Sequence, residues 1–463
     1  MHIESLSFAQ AGLLVLAILA VSFMLWVLYH FHLESKRLKA RRKHTPGLVH
    51  TAWSRVHRTS TKWFGVGVGI SVLTVAAVAQ SAPQTTATAG VASAVTPQAP
   101  QPAPAVPLAI PATAGPLSTA APTTIDAGPF GELEVTGILS GFGYAQSNAS
   151  PGDRAARGDV SNGQVFVQKT SGVVQYFLQA GAYNIPALGT PGISTRNTIS
   201  DYFGPLPQAY LKLTPKGNFS LLIGKLPTLI GAEYTFTFEN LNIGRGLLWN
   251  QENAVNRGLQ VNYGKGKLSS SVSWNDGFYS NRYNWLTGTA TYAFSSANSL
   301  QLVAGGNLGH TSYSTLATPL YQNNSAIYNI IYTHTAKKWM IEPYVQYTRV
   351  PASTRVGVAR TSATLGGALL GTYTFTPHIS LPSRVEYIGS TGNLQNGSVN
   401  LLYGPGSGAW SVTVTPTYQD KAFFARGEFS VIHATSYTPG DAFGRTGSSS
   451  AQVRGQIETG FMF

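Results

Sequence analysis

Apolar and polar residues alternate along the last eleven positions of this 463-residue chain, VRGQIETGFMF. Val453, Ile457 and Phe461 fall on one face of an extended strand, while Arg454 and Glu458 fall on the other. Side chains of a strand point alternately to its two faces. A strand that is apolar on one face and charged on the other is typical of a membrane barrel, where one face meets lipid and the other a water-filled lumen.

The same alternation recurs in earlier runs, each of about ten residues, which is the length that a tilted strand needs to cross a bilayer. Charged residues recur near the middle of these runs, which favours a membrane barrel over a secreted sandwich or solenoid. The clearest runs lie at 268–275, 286–294, 339–348, 410–418 and 423–431.

Connections between the runs are alternately short and long, as in outer-membrane barrels with extracellular long loops. We find seventeen candidate strands, an odd number that a single-chain barrel with both ends in the periplasm cannot have, and the ambiguous segments lie around 395–434. At roughly 20 residues per strand and connection, the region favours sixteen strands, with eighteen as the alternative. The predicted fold is all-β, a transmembrane antiparallel β-barrel over residues 130–463.

Two apolar segments precede the barrel. Ala11–Tyr29 is long enough for one membrane helix, and basic residues follow it. Residues 56–79 resemble a signal peptide that ends in Ala77-Val78-Ala79. Residues 1–79 therefore form an export region, explained either by a start site assigned too early, with Val49 or Val56 as the true start, or by a long anchored N-terminus.

Residues 80–129 are rich in Ala, Pro and Thr. Such a segment buries little apolar surface, so we expect a disordered periplasmic linker.

The chain contains no cysteine, which removes disulfides and thiolate metal sites. Its net charge is +13, but residues 1–129 hold nine basic residues against three acidic ones, and the barrel holds 22 against 15. The basic residues form no cluster or motif, so nucleic acid is not an expected partner. The barrel excess of 22 − 15 = +7 predicts a mild preference for anions.

Several blocks of the barrel region resemble the OmpL-like β-barrel porin-2 family of Gram-negative bacteria. They are GKLPTLIGAEYTFTFENLNIGRGLLWNQENAVNRGLQVNY at 224–263, SSSVSWNDGFYS at 269–280, WSVTVTPTYQ at 410–419, FFARGEFS at 423–430 and the closing ETGFMF. The resemblance covers most of the barrel and implies an outer-membrane porin, but it carries no catalytic motif and does not identify the solute.

In sixteen-stranded porins the third extracellular loop folds into the lumen, and the resemblance implies the same for residues 227–256. Opposed charges in and directly beside this loop would then form the constriction, unless they pair within the loop or stabilise its turns; the candidates are Glu233, Glu239, Arg245, Glu252 and Arg257. Tyr234, Phe236 and Phe238 share one face of an extended segment, where they either stack on sugars or pack the loop against the wall.

Alternation also places charged side chains of several strands in the lumen, namely Arg384, Glu386, Arg426, Glu428, Arg454 and Glu458. The terminal strand, with Phe461 and Phe463, resembles the signal that the outer-membrane insertion machinery reads.

No catalytic, metal or cofactor motif accompanies the histidines of the barrel region, so we expect neither an enzyme nor a cofactor. The sequence predicts a porin of the outer membrane that lets small hydrophilic solutes diffuse. Its partners would be membrane lipids, the insertion machinery and solutes, with a homotrimer left open. The alternatives are a carbohydrate-selective channel and a non-conducting surface scaffold.

Overall fold

A computed structural model describes residues 115–463 of the protein. The export region predicted for residues 1–79, and the linker as far as residue 114, lie outside the described residues. One antiparallel sheet of eighteen strands closes on itself through pairing of its last strand with its second. The strands are β1 (Thr123–Asp126), β2 (Glu132–Gln146), β3 (Ala156–Lys169), β4 (Val174–Tyr183), β5 (Gln208–Leu213), β6 (Phe219–Pro227), β7 (Val255–Lys265), β8 (Leu268–Asn275), β9 (Trp285–Ser295), β10 (Asn298–Asn307), β11 (Ala326–Thr335), β12 (Trp339–Val350), β13 (Ser362–Thr376), β14 (Ile379–Ser390), β15 (Gly408–Val414), β16 (Thr417–Asp420), β17 (Phe423–Ser436) and β18 (Ala451–Met462).

The wall of the barrel contains sixteen strands. β15 and β16 both lie between β14 and β17, so they form one wall strand with an interruption. The interruption falls at Pro416, which has no N–H to donate to a neighbouring strand. β1 pairs with the first residues of β2 and is not one of the sixteen strands of the wall. The prediction of a sixteen-stranded antiparallel barrel is confirmed, and the ambiguity around 395–434 is resolved as a long loop followed by this interrupted strand.

The barrel closes between β2 and β18. The backbone of Phe463 continues the ladder beyond β18, because its N–H donates to the carbonyl of Gly137 at 2.9 Å and its carbonyl accepts from the N–H of Gly137 at 2.6 Å. The Phe463 ring covers Gly137, where an added Cβ would lie 2.6 Å from the ring. The terminal residue therefore both extends and shields the closing seam.

Alternate residues of β18 face the inside and outside as the sequence predicts. Arg454 and Glu458 are almost fully buried, whereas Ile457 is 68% exposed and Phe461 is 52% exposed. The apolar side chains of the other predicted runs are likewise exposed on the outer surface, including Leu268, Val272, Trp274, Leu286, Tyr292, Trp339, Ile341, Phe423 and Phe429.

Short and long connections lie at opposite ends of the barrel. The seven short turns are 170–173, 214–218, 266–267, 296–297, 336–338, 377–378 and 421–422, and the eight long loops are 147–155, 184–207, 228–254, 276–284, 308–325, 351–361, 391–407 and 437–450. The loops contain helical turns at Thr195–Thr198, Ile199–Phe203, Thr237–Glu239, Trp249–Gln251, Leu320–Asn323, Thr354–Val356 and Leu394–Asn396, and another precedes β2 at Gly128–Phe130. Among the described residues, no helix is both long and apolar enough to span a membrane.

The end of the predicted linker packs against the barrel. β1 pairs with β2 from Thr123 opposite Val135 to Asp126 opposite Glu132, on the edge that β18 leaves free. Leu117 is only 2% exposed. Residues 115–129 were expected to belong to a disordered linker, but hydrogen bonding and apolar burial give this part of it a defined position.

Candidate functional site

The loop between β6 and β7, which we call the lumen loop (residues 228–254), lies inside the barrel. Its side chains are largely buried, with Phe236, Phe238 and Leu247 at 0% exposure. Hydrogen bonds join it to inward-facing residues of strands on several sides of the wall, among them Asn329 on β11 and Glu428 on β17. The lumen loop therefore lies among inward-facing side chains of the wall, and its role in narrowing a path for solutes stays a prediction.

Carboxylates of the wall hold the backbone of the lumen loop. Glu428 accepts hydrogen bonds from the backbone N–H of Ile243 at 2.5 Å and of Gly244 at 3.2 Å. Glu386 accepts from the N–H of Leu247 at 2.8 Å. Irregular backbone inside a barrel has no ladder partner, and an unpaired buried N–H is costly, so charge-assisted bonds of this kind fix the loop in place.

Two buried arginines of the wall bind the loop from the same side. Arg384 forms an ion pair with Glu233 at 2.5 Å and donates to the carbonyl of Gly244 at 2.9 Å. Arg426 forms an ion pair with Glu458 and donates to the loop carbonyls of Asn240 at 3.0 Å and Thr237 at 2.9 Å.

Arg454 joins a second loop to the wall. Its guanidinium donates to the side chain of Gln146 at 2.8 Å and to the carbonyl of Ala187 at 3.0 Å. All six charged residues that the sequence places in the lumen are buried, and all six bind other loops or strands directly through the contacts above. Their role toward a solute stays a prediction.

Arg245 braces the lumen loop internally. It is 0% exposed and donates to the carbonyls of Tyr234 and Ile243 at 3.2 Å each and to that of Thr235. It also reaches the carbonyl of Pro186 in the neighbouring loop at 3.2 Å. Arg245 therefore orders two loops instead of facing the acidic residues across an opening.

The acidic candidates of the loop have separate partners. Glu239 accepts from the backbone N–H of Phe236 at 3.0 Å and caps the turn that it belongs to. Glu252 accepts from the hydroxyl of Tyr344 on β12. Burial raises the pKa of each of these two carboxyls from 4.5 to about 8.

Arg257 lies apart from the other four candidates. Its guanidinium pairs with Asp276 at 2.8 Å and lies 3.9 Å from the ring centre of Tyr279. Adjacent residues of a strand point to opposite faces of the wall. Asn256 is 3% exposed on the inner face, so its neighbour Arg257, with a side chain that is 26% exposed, points to the outer face. The expectation that Arg245 and Arg257 face the three loop acids as one set of opposed charges does not match this arrangement.

Two of the three aromatic side chains pack the loop against the wall. Phe236 meets Tyr183 edge to face at 5.3 Å, and Phe238 meets Phe166 at 5.7 Å. Tyr234 is 40% exposed. The Phe236 and Phe238 rings also stack on each other, with their centres 6.1 Å apart, so these two share one buried face and Tyr234 lies outside it.

The wall that receives these rings is apolar on its inner face, which sequence analysis missed. These inward residues cluster with the lumen loop near the short-turn end of the barrel and comprise Ile138, Phe166, Phe177, Tyr210, Leu222, Phe424 and Met462. The available signal was a pair of consecutive apolar residues, such as Phe423-Phe424, where strict alternation places one of the two inside.

No group of three His, Cys, Asp or Glu side chains that could hold a metal ion occurs within residues 115–463. His334 contacts Asn298 at 2.7 Å and His378 contacts the carbonyl of Gln419 at 3.0 Å, both beside short turns.

A model of the family described as "Putative beta-barrel porin-2, OmpL-like" matches residues 132–463. No curated protein matches the sequence. The solved outer membrane channel DcaP of Acinetobacter baumannii is similar at 12% identity, covering 74% of this chain and 100% of that chain with a TM-score of 0.50.

Outer-membrane expressed OmpT of Vibrio cholerae shows 12% identity, coverage of 72% and 98%, and a TM-score of 0.49. OpdL of Pseudomonas aeruginosa shows 10% identity, coverage of 72% and 98%, and a TM-score of 0.39. At these identities, the likeness to DcaP concerns the fold alone.

Proposed function

Because the chain belongs to the OmpL-like beta-barrel porin-2 family and folds as an outer-membrane barrel, we propose that it is a passive channel for small hydrophilic solutes. The lumen loop, held to a polar wall by buried charges, is the observation that carries this proposal. A loop with many wall contacts narrows the lumen without filling it with a separate domain.

We place the narrow passage beside β8–β12. Inward-facing side chains of these strands stay half-buried toward the short-turn end, whereas those that touch the loop on β14–β18 are buried; the half-buried set includes Ser271, Thr291, Gln301, Thr333 and Glu342. Tyr234 of the loop is the exposed aromatic on this side. Hydroxyls and amides along such a path replace part of the hydration of a polar solute.

The positive excess of the barrel is concentrated at its two ends. Within residues 130–463, thirteen basic side chains are exposed, against four exposed acidic ones, Glu132, Asp201, Asp420 and Asp441. The exposed basic residues are Arg154, Arg196, Arg282, Arg349, Arg355, Arg360 and Arg445 near the long loops and Lys216, Lys265, Lys267, Lys337, Lys338 and Lys421 near the short turns. Charge at a channel mouth raises the local concentration of the opposite ion, which supports a mild preference for anions.

The contacts of the buried polar groups support a channel and not an enzyme. The buried carboxylates and arginines of the lumen bind loop backbone, one another or neutral polar side chains such as those of Tyr344 and Gln146. None of them is paired with a histidine in the way that an activated nucleophile or water would need.

A non-conducting barrel is the second candidate. The lumen loop contacts β11, β12, β14, β17 and β18. These contacts leave little open area across the lumen, which favours a barrel that does not conduct. A carbohydrate-selective channel has weaker support, because Phe236 and Phe238 are buried and only Tyr234 offers an accessible ring. Assembly as a homotrimer and dependence on the insertion machinery stay predictions.

Single-channel recording of the full chain in planar bilayers tests the proposal. We expect reproducible conductance steps, and a larger step for Tyr234→Ala, because this change removes an exposed ring beside the passage. Ile457→Ala, which removes a large side chain from the lipid face, is the matched control and should leave the step unchanged. Absence of any step from well-folded, heat-modifiable protein would favour the non-conducting barrel.

A further inference from the structure

The exposed basic residues of the barrel differ in type between its two ends. Those near the long loops are all arginines, whereas those near the short turns are all lysines. A guanidinium presents a planar fork of donors that matches two oxygens of a phosphate, and it is less strongly hydrated than an ammonium group. Long loops of outer-membrane barrels are extracellular. We propose that Arg349, with Arg355 and Arg360, binds the phosphate of an anionic lipid in the outer leaflet.

Arg349 points away from the lumen. On the same strand, β12, Gln346 and Thr348 are buried on the inner face, and Gln346 donates to a lumen-loop carbonyl at 2.9 Å. Side chains alternate between the two faces of a strand, so the exposed side chain of Arg349 lies on the outer face. The ladder pairs Arg349 with Ala326 and Ala363, whose side chains are short. Its guanidinium is therefore accessible from the lipid side of the wall.

Aromatic residues locate Arg349 at the level of the lipid headgroups. Tyr347, the preceding outward residue of β12, stacks on Tyr328 at 6.3 Å, and Trp339 at the other end of β12 contacts Tyr373 at 4.4 Å. Such aromatic residues flank an apolar band that is about 25 Å tall. Arg349 follows Trp339 by ten residues. At about 3.3 Å per residue and a tilt of about 40°, this distance is also about 25 Å along the membrane normal, so Arg349 lies at the border where phosphates occur.

Arg355 and Arg360 are exposed in the loop that directly follows β12. Hydrogen bonds in both directions between the backbones of Ser353 and Val358, at 2.8 and 2.9 Å, hold this loop as a hairpin. Because the hairpin is already ordered, a ligand bound by its arginines would cost little further loop ordering. Its buried valines pack in one apolar cluster with residues of the next long loop, and the cluster comprises Val350, Val356, Val358, Val399 and Leu401.

Acidic residues are scarce around these three arginines. Residues 277–419 contain only Glu342 and Glu386 as acidic residues, and both belong to the inner face of the wall. Within residues 115–463, the guanidiniums of Arg349, Arg355 and Arg360 make no hydrogen bond or ion pair. The buried arginines of the lumen, in contrast, are all bound to carboxylates or carbonyls. Three unpaired guanidiniums beside a layer of phosphates gain charge-assisted hydrogen bonds from a lipid headgroup.

Native mass spectrometry of the full-length barrel in detergent tests the site, with dioleoyl phosphatidic acid and dioleoyl phosphatidylcholine as the lipid probes. We expect phosphatidic acid to bind more tightly. Its Kd should rise about fivefold in Arg349→Gln, the loss expected for one basic group at an anionic lipid surface. The Kd should rise further when Arg355→Gln and Arg360→Gln are added. Equal Kd values for the wild type and this triple variant would overturn the site.

Two variants separate phosphate recognition from general attraction by charge. Arg445→Gln is the matched control, because it removes an exposed arginine from a long loop that also contains Asp441. It should leave the Kd for phosphatidic acid unchanged. Arg349→Lys keeps the charge and loses the planar fork, so it should bind more weakly than the wild type. A Kd for Arg349→Lys equal to that of the wild type, or a loss in Arg445→Gln as large as in Arg349→Gln, would refute phosphate recognition at this position.

Inorganic phosphate distinguishes a lipid from a soluble anion. It lacks the acyl chains that hold a headgroup beside the outer face of β12. At the same concentration as phosphatidic acid, it should therefore displace none of the bound lipid. Displacement would overturn the assignment to a lipid.

Fluorescence quenching tests the depth of Arg349 in phosphatidylcholine vesicles. The chain has no cysteine, so Arg349→Cys and Val345→Cys each provide a single thiol for a fluorescent label. Val345 lies four residues earlier on the same outer face and is the control for the acyl-chain region. A nitroxide on the headgroup should quench position 349 more strongly, and a nitroxide in the middle of the acyl chain should quench position 345 more strongly. The same order at both positions would overturn the placement. Neither this measurement nor lipid binding requires conductance, so failure of the proposed channel function is distinguishable from failure of this site.

Discussion

Arg384 on β14 and Glu233 in the lumen loop form an ion pair at 2.5 Å, with side chains that are 0% and 7% exposed. The two residues are 151 positions apart in the chain. Arg384 also lies 3.3 Å from Glu386, whose carboxylate binds the loop at Leu247. One arginine thus neutralises two carboxylates that hold the loop.

Replacing Arg384 alone should therefore destabilise the folded barrel more than replacing Arg384 and Glu233 together. Arg384→Met leaves buried carboxylates without a counter-ion, and such a loss typically destabilises by about 3 kcal/mol or more. Arg384→Met combined with Glu233→Met should recover part of that loss. Arg360→Met, at an exposed arginine, should be neutral. The measurement is the denaturant midpoint of the folded barrel, and equal midpoints for Arg384→Met and Arg360→Met would contradict this view.

Loosening of the lumen loop should depend on pH. Burial raises the pKa of Glu239 and Glu252 from 4.5 to about 8, so the folded protein binds protons that the unfolded chain releases. The stabilisation from these protons is complete below pH 4.5 and is lost as pH rises through about 8. The midpoint temperature of thermal unfolding should therefore decrease as the pH is raised from 5 to 9. Variants of the single carboxyls then show how much of the decrease belongs to each.

Glu252→Gln keeps the shape of the side chain and removes its charge. This variant should lose part of the pH dependence while keeping the stability that the wild type has at low pH. Glu132→Gln, at an exposed position near the short turns, should leave the profile unchanged. A profile that is the same in Glu252→Gln and the wild type would rule out the assignment.

Selectivity for anions should depend strongly on salt. The exposed arginines and lysines lie at the barrel ends, and their field is screened within about 10 Å at 0.1 M salt but within about 3 Å at 1 M. Reversal potentials in KCl gradients should show a mild anion preference at low salt that disappears at high salt. Clear cation selectivity, or a preference that persists at 1 M, would point instead to charges inside the lumen.

Assembly should depend on the last residue. Phe463→Asp should reduce insertion into the outer membrane while export continues, because Phe463 extends the closing ladder to Gly137 and covers it. Phe375→Asp makes the same change at an outward phenylalanine of β13 and is the control. Outer-membrane levels equal for the two variants would show that the terminal position has no special role.

The mature protein should begin at Gln80. An uncharged apolar segment of the length of Ala11–Tyr29 would hold the chain in the inner membrane, so we expect it to be removed from a free outer-membrane barrel. Intact-mass spectrometry of protein from outer-membrane fractions decides the question. A mass that includes residues 1–79 would mean an inner-membrane tether.

The sequence by itself determined the strands of the barrel wall and which of their side chains face lipid. Alternation along β18, from Val453 to Phe461, predicted which side chains face lipid, and strand length with connection length predicted sixteen strands and two distinct ends. These features follow from a period of two residues and from bilayer thickness, which are local properties of the chain.

Only the tertiary structure decided what fills the lumen. The partners of Glu233, Glu252 and Leu117 lie on distant strands, and Arg257 leaves the predicted charge set because it points the other way. A loop has no repeating backbone geometry, so no periodic pattern in its sequence indicates which way its side chains point. Its hydrogen bonds depend on which wall residues lie opposite it in the closed barrel. Alternation therefore predicts the inner and outer faces of the wall, whereas the position of each loop and of the segment around Leu117 depends on contacts that exist only once the barrel has closed.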